Sequence, residues 1–548
     1  MTRRRLAIGA ALVVVVVAGL ALVALALPRA ALFGAGAVPH FVEEAESAGV
    51  IHSYQGDFDY YVGGGVAAFD CNGDGLPELY LAGGTAPAQL FVNASAPAGA
   101  LKFSPLPDPA TDLTDVTGAY PIDIDGDGIT DLAVLRHGEN VLLRGLGNCR
   151  FARANEQWGF AGGDDWSTAF SAKWDTGATW PTIAIGNYLG PAGANGVQPC
   201  LDDQVFRLGA SAATFGPPTS LTPSWCTLSL LFTDWDRSGR RDLRVSNDRH
   251  YYGEASAGQE QLWSVPPTGA PSQYTAADGW QPVRVWGMGI ADYDVNGDGY
   301  PDYFLTSQGD NKLQVLANGS SSPDYADKAL AMGVTATRPY VGDTTLPSTA
   351  WHSEFQDVNN DGRMDLFVSK GNVDADPSFA SQDPSDLLLG QADGTFVESG
   401  QAAGIADFGK ARGAVIADLN GDGMLDLVLV ERLENVRVYR NVGAGTAAAP
   451  QPVGNWIGLS LQQAGADRDA IGSWVEVKAG DTEEQRELTL GGGHASGDLT
   501  PLHFGLGGAS QAQVRITWPD GSQGDWQTVD ANSTYLIQPG TAPQVIGR

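Results

Sequence analysis

The chain has 548 residues, 64 acidic against 32 basic side chains, and a formal net charge of −32. That length exceeds one comfortable hydrophobic core, so several domains or a repeat architecture are expected. The charge excludes nucleic acid as a partner, because phosphate recognition needs Lys and Arg. The 43% hydrophobic content with 14 Trp excludes a disordered acidic chain.

The N-terminus reads as an export signal. Arg3, Arg4 and Arg5 precede an apolar run from Leu6 to Leu27, closed by Pro28 and Arg29. The run is long enough to span a bilayer as a helix, with the basic cluster on the cytoplasmic side. Small-residue cleavage sites stand at Ala24-Leu25-Ala26 and Ala35-Gly36-Ala37. An uncleaved membrane anchor is the favoured reading over a cleaved signal peptide. Either places the body outside the cytoplasm, in the periplasm or at the cell surface.

Internal repeats then decide the architecture. Six acidic segments of the form Asp-x-Asx-x-Asp-Gly-x-x-Asp align without gaps. Their positions 1, 3, 5 and 9 are Asp70, Asn72, Asp74 and Glu78; Asp123, Asp125, Asp127 and Asp131; Asp234, Asp236, Ser238 and Asp242. The series continues with Asp294, Asn296, Asp298 and Asp302; Asp357, Asn359, Asp361 and Asp365; Asp418, Asn420, Asp422 and Asp426. A seventh copy, Trp174–Ile185, keeps the strand context with the ligand set lost. With it, the repeat recurs every 52 to 63 residues.

Each segment runs into a short apolar stretch such as Leu132–Leu135 or Leu427–Val430, of strand length and composition. A second repeat places an aromatic eight residues before a glycine: Phe41/Gly49, Phe151/Gly159, Tyr325/Gly333 and Phe396/Gly404. Seven units of about four strands each describe a β-propeller. The segment from Val38 to Gly63 is expected to complete the last blade. The fold class is therefore all-β: a seven-bladed β-propeller over 38–450, a small C-terminal β domain over 451–548, and an N-terminal hydrophobic helix within 1–37.

The loop spacing suits calcium. Positions 1, 3 and 5 turn three oxygens inward, and position 9 returns a carboxylate from the start of the strand. Position 7 (Leu76, Ile129, Arg240, Tyr300, Arg363 and Met424) would supply a backbone carbonyl. Such hard-oxygen sets favour calcium over zinc, copper or magnesium. An EF-hand needs Glu at position 12, where these loops carry Leu81, Val134, Val245, Leu305, Val368 and Leu429. Up to six calcium ions are expected. The loop at Asp123 has the most acids and should bind best. The loop at Asp234, with Ser238 and nearby Arg237, Arg240 and Arg241, should bind worst.

Four cysteines allow three disulfide connectivities. Cys200 and Cys226 share one insertion and are paired locally, which leaves Cys71 with Cys149.

The acidic loops resemble the FG-GAP/VCBS repeats of integrin α-subunit propellers. The C-terminal segments Ala470–Val477, Gly491–His494, Leu502–Gly507 and Val514–Ser522 follow the order of the ASPIC/UnbV module. The whole resembles the cartilage acidic protein family and its bacterial relatives. Taken alone, residues 454–538 read as a small β domain, and the triple glycine before His494 as a strand-connecting turn.

No Walker loop, Gly-x-Ser-x-Gly elbow or His-Glu-x-x-His site is present. The favoured function is an exported calcium-binding scaffold recognising an extracellular or periplasmic protein or glycan. The alternative is a polysaccharide lyase or hydrolase with its site on the propeller axis.

Overall fold

A computed structural model describes residues 37–547 apart from 195, 210–212, 249–257 and 481. The expected anchor or signal at Leu6–Leu27 lies outside these residues. No helix among the described residues is long and apolar enough to cross a membrane.

Seven antiparallel sheets form the blades of a ring. Their innermost strands are Val66–Phe69, Val116–Ile122, Ser167–Lys173, Thr227–Thr233, Gly287–Tyr293, Ala350–Gln356 and Ala411–Ala417, defining blades 1 to 7. Neighbouring inner strands pack on one another in chain order, and blade 7 packs on blade 1. Each strand therefore has a blade on both faces. That is why Val116–Ile122 and Ala411–Ala417 are buried along their whole length and, Arg412 apart, read as runs of small or apolar residues rather than alternating ones. The ring is closed by the start of the chain, as Val38–Gly63 suggested. Phe41–Glu43 pairs antiparallel with Arg437–Asn441 as the outermost strand of blade 7.

The aromatic–glycine repeat marks the outer rim. Phe41, Phe151, Tyr325 and Phe396 each open an outermost strand. The glycine eight residues later has positive φ, and two copies show why it must be glycine. A Cβ on Gly333 would stand 2.8 Å from the Phe396 carbonyl oxygen of the next blade, and one on Gly404 would stand 3.0 Å from that of Phe41. The repeat is thus an inter-blade contact as well as a turn. Both disulfides pair as the sequence reading placed them: Cys71 with Cys149 links blades 1 and 2, and Cys200 with Cys226 ties the blade 3 insertion to the inner strand of blade 4. Two disulfides indicate an oxidising, extracytoplasmic compartment.

The C-terminal domain is two four-stranded sheets around one core that includes Ile457, Val475, Phe504, Val514 and Tyr535. One segment of it leaves that core. Residues 488–500 enter the propeller axis as a finger and touch the inner strand of every blade. Leu490 O accepts from Ser171 Oγ (2.7 Å), Gly492 N donates to Leu230 O (2.7 Å) and Gly493 N donates to Ile290 O (2.7 Å). His494 N donates to His352 Nδ1 (3.0 Å), and Val66 N donates to Ser496 Oγ (3.2 Å). Ser496 bridges Ala119 and abuts Gly413, and Gly497–Leu499 then pairs parallel with Ala67–Phe69.

The triple glycine is therefore an axial plug and not a simple turn. A Cβ on Gly491 would meet the Phe170 and Leu230 carbonyl oxygens at 2.8 Å. On the other side of the contact, a Cβ on Gly65 would lie 1.8 Å from the Ala495 carbonyl oxygen. Gly65→Val is accordingly expected to displace the finger, at a cost of about 1–3 kcal/mol from overpacking. Limited proteolysis should then cut within 488–500 while the blades stay intact. A finger as resistant as in the parent would contradict this.

Candidate functional site

Each acidic loop leaves the end of an inner strand and returns as the second strand, so all six lie on one face of the ring. Glu78, Asp131, Asp242, Asp302, Asp365 and Asp426 are each the first residue of that second strand, and all are buried.

Five loops share one hydrogen-bond ladder. The position 1 carboxylate accepts two loop N–H groups: Gly73 and Gly75 on Asp70, Gly126 and Gly128 on Asp123, and Gly297 and Gly299 on Asp294. Asp361 and Gly362 do the same on Asp357, and Asp422 and Gly423 on Asp418. Position 5 accepts from the N–H of position 7: Leu76 on Asp74, Ile129 on Asp127, Tyr300 on Asp298, Arg363 on Asp361 and Met424 on Asp422, at 2.9–3.0 Å. These successive Asx turns curl the chain tightly, and in loop 2 they bring positions 1 and 3 to the position 9 carboxylate.

Position 9 does a second job. One Asp131 oxygen accepts from Ile124 N at position 2 (2.8 Å), and the other from Gly145 N at the end of the third strand (2.7 Å). Val295 and Leu316 hold Asp302 in the same way, Val358 and Gly390 hold Asp365, and Leu419 and Asn441 hold Asp426. The carboxylate staples its loop to two strands, and its remaining lone pairs are available to the loop centre.

These residues fit a calcium ion. In loop 2, ligand oxygens of Asp123, Asp125 and Asp131 lie within 4.8 Å of one another. That spacing suits oxygens sharing a centre at about 2.3–2.6 Å from each. Burial, helped by neighbouring carboxylates, pushes Asp123 up to about 6, Asp131 to about 8, and Glu78, Asp302 and Asp418 to about 7. The loops are thus short of positive charge. Internal donors answer part of it: Arg144 forks onto Asp125 and Asp127 at 2.6 Å each, and the amides of Asn72, Asn296 and Asn420 donate to the position 5 carboxylates.

Two blades depart from the pattern. In loop 4, Arg240 bridges Asp236 and Asp242 at 3.3 Å each, and Asp242 also accepts from Tyr274 (2.7 Å) and Trp235 (3.1 Å). Unlike Arg144, which reaches positions 3 and 5 of loop 2, this guanidinium reaches the buried position 9 carboxylate. In blade 3, Lys173 ends the inner strand and sends Nζ to Asp175 (3.0 Å) and to the Arg241 and Val265 carbonyls.

The FG-GAP-like repeat pattern matches residues 70–134, 294–368 and 357–429, and the ASPIC and UnbV pattern matches 463–544. The propeller thus carries FG-GAP-like repeats and is followed by an ASPIC/UnbV domain. The matched repeats span loops 1, 2, 5, 6 and 7, and the unmatched stretch is the one that carries Lys173 and Arg240. Cartilage acidic protein 1 of Mus musculus is 24% identical over 496 residues, covering 83% of this chain and 70% of that protein. Among solved structures, a lectin from Agrocybe aegerita specific for non-reducing terminal N-acetylglucosamine overlaps at a TM-score of 0.35 and 16% identity, covering 67% of this chain and 88% of that one. The rhamnogalacturonan lyase YesW overlaps at 0.36 and 11%, covering 70% and 72%.

The ASPIC/UnbV domain docks on the loop face. Glu487 pairs with Arg241 (3.0 Å) and accepts from Asp234 N (2.8 Å), while Arg237 stacks on Trp474 at 3.6 Å. Gln485 donates to Asp294 of loop 5 (3.3 Å), and His503 Nε2 pairs with Asn360 of loop 6 (2.6 Å). His494 and His503 thus have separate partners, and burial drives both down to about 3, so both are neutral structural groups. In the sequence, Ser238 and the nearby Arg237, Arg240 and Arg241 set loop 4 apart as the weakest candidate metal loop. Its role as a docking loop depends on Glu487 and Trp474, which no local pattern connects to it.

Beside the finger, a chamber of about 170 Å³ is lined by His352, Glu354, Asp292 and Asp498. Asp498 Oδ1 is buried without a hydrogen-bond partner, and Oδ2 accepts from Thr500. Burial, with the Glu354 charge, pushes Asp498 up from 3.8 to about 8. The folded value lies above the unfolded one, so the stability tied to this proton is complete in acid and is lost as pH rises through about 8. Asp498→Asn should therefore melt like the parent below about pH 4 and higher than the parent at about pH 9. Coincident melting profiles across that range would contradict this.

Proposed function

We propose that the protein is an exported, calcium-stabilised recognition scaffold for a protein or glycan at the cell surface or in the periplasm. Loops 1, 2, 5, 6 and 7 are the calcium sites. Their oxygens are arranged for an ion, and the ion would relieve the repulsion among buried acids. Loop 4 keeps the spacing and uses it to hold the ASPIC/UnbV domain.

The observation that carries this reading is the finger. It fills the axis, while the ASPIC/UnbV domain covers the loop face. The surface left for a partner is the opposite face, built from the starts of the inner strands and the 54–63 crossing. The enzyme alternative has one observation in its favour: Asp498 keeps its proton up to about 8 beside His352 and Glu354, and such an acid could protonate a leaving oxygen. Release of unsaturated or reducing ends from acidic polysaccharides by the parent, and none by Asp498→Asn, would favour that reading.

Two measurements test the scaffold. Chelation with EDTA should lower the melting temperature by 10 °C or more, on the order expected when several kcal/mol of ion binding is withdrawn. Asp131→Asn should remove one ion from the titrated total, whereas Asp242→Asn should remove none. An unchanged melting curve in EDTA would refute calcium stabilisation. A glycan and surface-protein screen with no hit in calcium, alongside polysaccharide cleavage, would refute the scaffold.

A further inference from the structure

The open face carries a pit at the end of the axis opposite the loops. Its cavity is about 210 Å³. Five rings wall it: Phe58 and Tyr61 from the crossing segment, Trp166 and Trp351 from the starts of inner strands, and Tyr188 after a second strand. They stand edge to face, with Phe58 and Tyr61 at 5.5 Å, Phe58 and Trp166 at 6.1 Å, and Trp166 and Tyr188 at 4.9 Å between centroids. The plug supports this end of the axis, since the His494 ring lies 5.1 Å from that of Trp351.

Three polar side chains interrupt the rings: Asp248, Gln308 and Asp376. Asp248 accepts the Tyr188 hydroxyl, and Asp376 accepts Ser378 N (2.9 Å). Gln308 is different. It is only 5% exposed, it faces the pit, and its amide has no hydrogen-bond partner among the described residues. Its amide therefore faces the pit unpaired, a donor and an acceptor open to whatever enters.

We propose that the pit binds one neutral pyranose ring, the end unit of a glycan. The size fits: a cavity of roughly 150 Å³ takes a benzene-sized ring, and this one is larger by enough for hydroxyls. The wall chemistry fits, because the weakly positive C–H face of a sugar packs against the negative face of an aromatic ring. Gln308 offers both a donor and an acceptor, which a sugar hydroxyl can use together.

The charges also argue for a neutral ligand. Asp248 and Asp376 line the pit, and Asp374 lies behind Tyr61, whose hydroxyl donates to it (2.8 Å). Against them stand Lys410, paired with Asp374 at 2.6 Å, and two buried guanidiniums, Arg412 over Trp351 at 4.1 Å and Arg432 over Tyr61 at 4.8 Å. Among the described residues the three carboxylates face three cations, so neither an organic cation nor a uronate is favoured.

This inference rests on the recognition reading above and names its site and ligand. The test is saturation-transfer NMR on the calcium-loaded protein. The probes are methyl pyranosides of glucose, galactose, mannose and N-acetylglucosamine, with tetramethylammonium as the cationic competitor. At least one pyranoside should receive saturation at its ring C–H protons, and Gln308→Leu should weaken it tenfold or more. Asp376→Asn, at a partly exposed position, gives the same readout should Gln308→Leu fail to fold. Saturation of tetramethylammonium and of no pyranoside would overturn the proposal. So would pyranoside binding equal in the parent and in a folded variant. Glycan or protein binding in the screen that survives Gln308→Leu and Asp376→Asn would overturn the pit and leave the recognition reading standing.

Discussion

A buried carboxylate at the head of the second strand is the constraint on which the rest of this molecule depends. It is 0–1% exposed in all six blades that carry it. A charge so placed costs several kcal/mol unless it is hydrogen-bonded and matched by positive charge. Backbone N–H groups from the loop and the third strand supply the hydrogen bonds in five blades, and the Trp235, Arg240 and Tyr274 side chains supply them to Asp242. The positive charge is supplied in different ways around the ring. In five loops the proposed calcium ion would supply it, and in loop 2 the oxygens of Asp123, Asp125 and Asp131 already lie together. Blade 4 inserts the Arg240 guanidinium. Blade 3 replaces the acid by Thr182 and carries its own cation, Lys173, against Asp175. One electrostatic problem thus explains both the repetition of the motif and its two exceptions.

The same loops make one face of the propeller a platform. The ASPIC/UnbV domain meets loops 4, 5 and 6 through Glu487, Trp474, Gln485 and His503. Burial and the nearby Asp123 charge push its Asp469 up to about 6, which sets it against loop 2 as well. Docking there aims the finger down the axis, where backbone-to-backbone contacts demand glycine on both sides. Loop order, domain docking and axial closure are therefore linked steps. Disturbing the loops should be felt at the finger.

Much of the fold was legible in the sequence because its signals are local and repeated. The spacing of Asp70, Asp123, Asp234, Asp294, Asp357 and Asp418 fixes the number of blades, and the doubled interval exposes the degenerate one. Apolar residues at position 12, such as Val134 and Leu429, place the loops before strands. Phe396 and Gly404 mark an outer strand and its closing turn. The rest depends on partners far away in the chain. Gly491–Gly493 resemble any flexible turn until Phe170, Leu230 and Ile290 are seen around them. Arg240 reads as a poor metal loop, and only the positions of Asp236 and Asp242 show its guanidinium acting as the cation. Gln308 and Trp166 carry no pattern at all, because the pit is assembled from the crossing segment and from scattered positions in four blades.

The central claim is that ions in the acidic loops hold the platform on which the ASPIC/UnbV domain docks and drives its finger into the axis. Hydrogen–deuterium exchange at the amides of 490–497 tests it most directly, compared between calcium and EDTA below the melting transition. The account predicts strong protection in calcium and its loss in EDTA, with the core of the ASPIC/UnbV domain around Val475 and Val514 still protected. Equal protection of the finger with and without calcium would contradict it.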